Sequence, residues 1–186
     1  MTLVLVSQRV CRDGCTAKED LMKQPRTKLW VQRGVQKMPE VTFMSRSVAS
    51  RFEPVGNAVL VAIRNPRNHA LELEGWADVL HLEFHDIDER YEDFQLFTFG
   101  QAFQVCDFIR KHSECDLIAA QCDYGISRSG AVAIFASRLI GSKSLDGTDG
   151  FNRFVYRRLV AAHMLDCLKK LKLIKAVRDF QRLRMR

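Results

Sequence analysis

Cys122 and Arg128 stand six positions apart, and the residues between them read Asp123-Tyr124-Gly125-Ile126-Ser127. This combination suits the transfer of a phosphoryl group through sulfur. Such chemistry needs a thiolate nucleophile, several backbone N–H donors, a planar cation that grips two phosphate oxygens, and an acid for the leaving oxygen. Cys122 supplies the sulfur. The amides from Asp123 to Arg128 can curl around an anion as a nest. Gly125 permits positive φ and close approach of the backbone. Arg128 offers a bidentate fork that a lysine lacks. Spacing alone is a weak signal: with six cysteines and 19 arginines in 186 residues, chance yields roughly 0.6 such pairs. Context strengthens it, because an apolar segment precedes the loop, and Ser127-Arg128-Ser129 leads into another apolar run.

The elements that must position this loop are legible on either side of it. Asp116-Leu117-Ile118-Ala119-Ala120-Gln121 reads as a short buried strand. Residues 131–139, Ala-Val-Ala-Ile-Phe-Ala-Ser-Arg-Leu, are apolar all round and read as a buried helix. A thiol between the two lies at a strand's carboxyl end and a helix's amino end, where anions bind and the thiolate is favoured. Upstream, Asn57–Ile63 is a near-continuous apolar run ending in the turn cluster Arg64-Asn65-Pro66-Arg67-Asn68, which predicts a second buried strand. Val79–Phe84 alternates apolar and polar residues and predicts a third, followed by His85-Asp86-Ile87-Asp88. Thr98 is placed to cap a helix with Ala102, Phe103, Cys106, Phe108 and Ile109 at roughly helical spacing. After the turn-rich stretch 141–150, a long helix runs from about Asn152. Alternating strands and helices predict an α/β domain with a central, mostly parallel sheet flanked by helices and a long C-terminal helix.

Residues 1–40 lack sustained periodicity and are expected to form a poorly ordered extension ahead of a domain spanning 41–186. Met38 is a candidate natural start, which peptides from before it in the native product would exclude. No apolar run approaches the roughly 18–20 residues of a membrane span, and Met1–Ser7 lacks the features of a secretory signal. Six cysteines without framework spacing read as reduced thiols, which places the expected site of action in the cytoplasm. Cys115 reads as a turn residue rather than a disulfide partner of Cys122. The net charge of +7 is uneven: +5 over residues 1–50, −7 over 51–120 and +9 over 121–186. Positive charge therefore gathers at and after the loop, as suits an anionic substrate.

The run Gln121-Cys122-Asp123-Tyr124-Gly125-Ile126-Ser127-Arg128-Ser129 resembles the signature loop of the protein tyrosine phosphatase superfamily. Within it, the run looks most like the compact dual-specificity-like branch of bacterial and phage type. The resemblance extends over about Val41–Ala162 and includes Asn152-Arg153-Phe154-Val155-Tyr156. It implies that Cys122 forms a phosphocysteine intermediate, and that Arg128 and the amides of Asp123, Tyr124, Gly125, Ile126 and Ser127 bind the phosphate. Ser129 would hydrogen-bond Cys122 and help it leave. The general acid would be an Asp some thirty-odd residues upstream: Asp86, 36 residues before Cys122, is preferred over Asp88, with Glu92 and Asp93 behind. His81, His85 and His112 are candidate catalytic bases; His81, on an alternating strand, reads instead as a surface or packing residue, and His85 is a candidate to tune Asp86. No metal and no cofactor are implied. One departure stands out, because the family usually has His where this chain has Gln121. In the family that His helps position the loop, so the departure implies reduced activity, although Gln can still hydrogen-bond the backbone.

The implied substrate is a phosphorylated protein, phosphotyrosine ahead of phosphoserine. Alternatives are an RNA 5′-end or phosphoinositide phosphatase, and a weakly active phosphate-binding pseudophosphatase. Residues 164–186 form a basic amphipathic segment, in which Leu168 and Leu171 mark an apolar face. The favoured expectation is that this face docks on the domain. The alternative is contact with an anionic surface or nucleic acid.

Overall fold

The computed structural model describes residues 38–142, 145 and 149–184, and the side chains among them up to residue 172. The extension anticipated for residues 1–40 therefore lies outside the described residues as far as residue 37. The described chain forms β1 (Glu40–Ser45), α1 (Arg46–Ala49), β2 (Ala58–Arg64), β3 (Asp78–Glu83), α2 (Phe99–Lys111), β4 (Leu117–Cys122), α3 (Ser127–Ile140) and α4 (Arg153–Arg184). All four strands are parallel, in the order β1-β4-β2-β3. The protein is thus an α/β domain with a wholly parallel sheet and a long C-terminal helix. Every strand delivers its carboxyl end to the same edge. The register sets Ser45 beside Cys122, and Met44 and Ala62 on either side of Gln121.

The central strands β2 and β4 are almost wholly buried, as the rule that parallel strands are covered on both faces requires. One face packs against α2, α3 and α4 through Val59, Val61, Ile63, Ile118, Ala120, Val105, Ile109, Val132 and Leu159. The other has a smaller core of Met44, Leu60, Ala62 and Ala119, covered by Ala49 of α1 and by Phe52, Leu71, Leu73 and Trp76 from connecting segments. Phe52 and Trp76 stack there with ring centroids 5.5 Å apart.

Local sequence accounts for the element ends. Thr98 and Gln101 close a reciprocal capping box at the start of α2, and Gln101 Nε2 also donates to the Glu83 carbonyl at the end of β3 (2.9 Å). Helix α3 stops at Gly141, which adopts the left-handed conformation that glycine accepts most readily. Strand β1 and α1 were not anticipated from the sequence. Glu40 already belongs to β1, so ordered pairing begins one residue before the expected boundary.

Candidate active site

Strand β4 runs through Cys122 itself, and Asp123–Ile126 turn directly into α3, which begins at Ser127. Ile126, at the N-cap, offers no side-chain hydrogen bond, so the first turn of α3 carries no side-chain cap. Gly125 has φ +71°, and a Cβ built there would lie 2.2 Å from the Ser45 backbone nitrogen. The loop is thus seated on the β1–α1 junction, with Arg46 N–H donating to the Asp123 carbonyl (3.3 Å). Only glycine fits both the backbone angle and the space.

The Cys122 sulfur lies at the focus of this loop. Ser129 Oγ is hydrogen-bonded to it at 3.1 Å, and Gly125 N–H donates to it at 3.3 Å. A hydroxyl and an amide can both stabilise a sulfur anion. Two other cysteines lie in the core: burial pushes the Cys106 thiol up to about 11, and burial raises that of Cys115 as well. Cys115 donates to the Leu117 carbonyl in the helix-to-strand turn, and it and Cys122 are both free thiols.

Arg128 is 2% exposed and makes a dense set of contacts. Its Nη1 donates to Asn65 Oδ1 (2.8 Å) and the Phe84 carbonyl (2.7 Å), and its Nη2 to Asp123 Oδ2 (2.8 Å). The guanidinium also lies 5.8 Å from the Phe84 ring centroid. Among the described residues its Nε has no hydrogen-bond partner, and its ion-pair contact with Asp86 Oδ2 is long, at 3.9 Å. A buried cationic N–H left without an acceptor carries a substantial desolvation cost, which an anion in the loop would relieve.

Asp86 is brought to the loop from the end of β3. Its Oδ1 accepts from Ser127 Oγ and from Asn152 Nδ2, both at 2.8 Å. Asn152 also caps α4, accepting the Val155 N–H through Oδ1 (3.0 Å), and its own N–H donates to the Ser127 carbonyl (3.0 Å). One residue therefore ties together the acidic loop, the start of α3 and the start of α4. Asp86, Asp88, Ser127, Phe151, Asn152 and Phe154 are among the residues lining an open cavity of ≈ 430 Å³. Asp88 shares that cavity but is not among the side chains bonded to the loop.

The structure also places the three histidines and Gln121. His85 accepts the Gln95 N–H through Nδ1 (2.9 Å) and stacks edge-on with Phe94, so it braces the acidic loop instead of contacting Asp86. His81 is exposed, and His112 pairs with Asp78. Gln121 is buried, and its Nε2 donates to no partner among the described residues. Tyr124 and Ile126 are 84% and 51% exposed and form the outer rim of the loop.

Asn65 and Asn152 were not singled out from the sequence as individual site residues. Asn65 had a positional signal, because it follows the carboxyl end of β2, the edge at which parallel sheets bind ligands. Asn152 had a local one, an Asn at a helix start, although that predicts a cap and not the second bond to Asp86.

No protein-family model matches the chain, and no curated protein matches it. Among solved structures, the crystal structure of human DUSP28 superposes on 70% of this chain and 96% of its own, at 15% identity with a TM-score of 0.47.

Proposed function

We propose that the protein is a cysteine-dependent phosphomonoester hydrolase of the protein tyrosine phosphatase superfamily, acting on phosphorylated protein. The observation that carries the reading is the convergence on one loop of Cys122, with its hydroxyl and amide donors, and of a buried Arg128 whose Nε lacks an acceptor among the described residues. In the first step the Cys122 thiolate attacks phosphorus. An S–P bond forms as the P–O bond to the leaving group breaks, and the leaving oxygen takes a proton from Asp86. The loop amides and Arg128 would stabilise the equatorial oxygens. In the second step water attacks the phosphocysteine, and Asp86 accepts its proton. The S–P bond breaks, releasing phosphate and a Cys122 thiolate that the Ser129 hydroxyl stabilises. Asp86 is preferred as acid over Asp88 because it alone of the two is hydrogen-bonded to the loop. Tyr124 and Ile126, exposed at the rim, would flank an aryl ester, which favours phosphotyrosine.

A second reading, a weakly active phosphate-binding module, is favoured by a specific observation. Asp123 holds Nη2, while Asn65 and the Phe84 carbonyl hold Nη1, so protein groups occupy much of the cation that phosphate needs. Hydrolysis of an aryl phosphate by wild type, Cys122→Ser and Asp86→Ala separates the two. The enzyme reading expects Cys122→Ser to fall to the uncatalysed background, and Asp86→Ala to lose about 10²–10⁴-fold. Activity that survives Cys122→Ser would overturn the nucleophile. Absence of activity in wild type, with tungstate or phosphate still bound, would establish the binding module.

A further inference from the structure

Helix α4 is 32 residues long, about 48 Å at 1.5 Å per residue. Its inner side is docked. Val155, Leu159 and Ala162 are buried in the main core. Further along, Asp166 pairs with Arg110 of α2 (2.8 Å), and Lys169 lies 5.2 Å from the Phe103 ring centroid. Yet Met164, Leu165, Leu168 and Leu171 are 59%, 45%, 53% and 61% exposed. At 3.6 residues per turn their mean direction lies about 160° from that of the buried set. The helix therefore carries a second apolar stripe, facing outward where the docked side faces in. This overturns the expectation that the face marked by Leu168 and Leu171 covers the domain.

We propose that this outward face of α4 is a docking surface for an anionic lipid bilayer, into whose interface the four aliphatic side chains insert. Charge selects the occupant. Residues 164–186 contain eight Lys/Arg and two Asp, a net +6. A second copy of the chain would bring the same excess against it, so self-association through this stripe sets like charges together. A nucleic-acid backbone would welcome the cations but offers exposed leucines nothing to bury against. An anionic membrane satisfies both features: apolar residues enter the acyl boundary while lysines meet the headgroups. Lys172 is exposed beside the stripe, and Lys170 is exposed although it also pairs with Asp166 (2.8 Å). The stripe begins 12 residues after Asn152, about 18 Å along the helix from that residue. The inference stands whether or not the loop is catalytic.

The test is flotation of the full chain with vesicles of pure phosphatidylcholine, and with vesicles of equal parts phosphatidylcholine and phosphatidylserine. Wild type and Leu168→Gln/Leu171→Gln are compared; both changed side chains are exposed, and circular dichroism checks the fold. Wild type should float only with the anionic vesicles, and the double variant should bind roughly tenfold more weakly with its aryl phosphatase rate unchanged. Failure of wild type to bind would overturn the proposal, as would equal binding by the variant, which would mean that charge alone acts. A concentration-dependent dimer that the double variant abolishes would overturn it in favour of self-association.

Discussion

The loop 122–128 and the segment carrying Asp86 reach the same edge of the sheet, but they are held very differently. The former is over-determined. Gly125 rests on Ser45, Arg46 binds the Asp123 carbonyl, Ser129 and Gly125 hold the sulfur, and Arg128 bonds to Asn65, Phe84 and Asp123. Asp86, about one-third exposed, is held at the loop by hydrogen bonds from Ser127 and Asn152. A preorganised anion cradle needs rigidity, because fixed dipoles lower a barrier without reorganising. A group that donates and then recovers a proton needs to follow the leaving oxygen. The roles proposed for the two segments would require that difference.

The comparison can be broken most forcefully at Gly125. Gly125→Ala would place a methyl group on the Ser45 backbone at a positive φ, and the expected loss is about 2–5 kcal/mol of stability together with activity. Urea denaturation measures it, and a neutral result would show that the loop is less constrained than its contacts indicate. Asn152→Ala acts on the tethered side. It should cost about 1 kcal/mol through the lost cap, and lower turnover about fivefold to tenfold, most for esters with poor leaving groups. Steady-state rates across a series of aryl phosphates would reveal a flat response if Asp86 did not depend on this tether. Asp123→Asn sharpens the reading of the rigid loop, since it keeps an acceptor for Nη2 while removing a negative charge near the bound anion. Phosphate should then inhibit about fivefold more tightly; unchanged inhibition would mean that the Asp123 charge does not oppose the anion.

The smallest effect is expected far from both loops. Hydrogen bonds from Lys111 and His112 hold the Asp78 carboxyl below its usual range. Because the folded value is the lower one, the pairing stabilises the protein above the ordinary carboxylate pKa, and the benefit fades as pH falls through the folded value. Asp78→Asn should therefore cost less than about 1 kcal/mol at neutral pH, as exposed pairs do, and nothing under strongly acidic conditions. Chemical denaturation of both proteins at the two pH values measures the difference.

Strands β2, β3 and β4 and helices α2, α3 and α4 were legible because each carries its own pattern: an apolar run, an alternation, a capping Thr98 or a buried all-apolar helix. β1 was not, because Glu40–Ser45 is an edge strand with imperfect alternation, and its pairing with β4 joins residues 77 positions apart. The same division runs through the site. Cys122, Gly125, Arg128 and Ser129 are contiguous, so the strand–loop–helix around them could be read locally. Asn65, Phe84 and Asp86 reach the loop because parallel strands end at one edge, and Asn152 because α4 starts beside α3.

What the sequence determined by itself was the set of residue types gathered in one loop and the strand and helix to either side, since both follow from residue types at short spacing. Tertiary structure alone decided which of the upstream acids meets that loop, that His85 turns to Gln95, and that Gln121 Nε2 is left unbonded among the described residues. It also decided the fate of the last helix. Periodicity shows that a helix has an apolar face, but only packing decides which face the domain covers. In α4 the domain takes Val155, Leu159 and Ala162 and leaves Leu168 and Leu171 to the solvent.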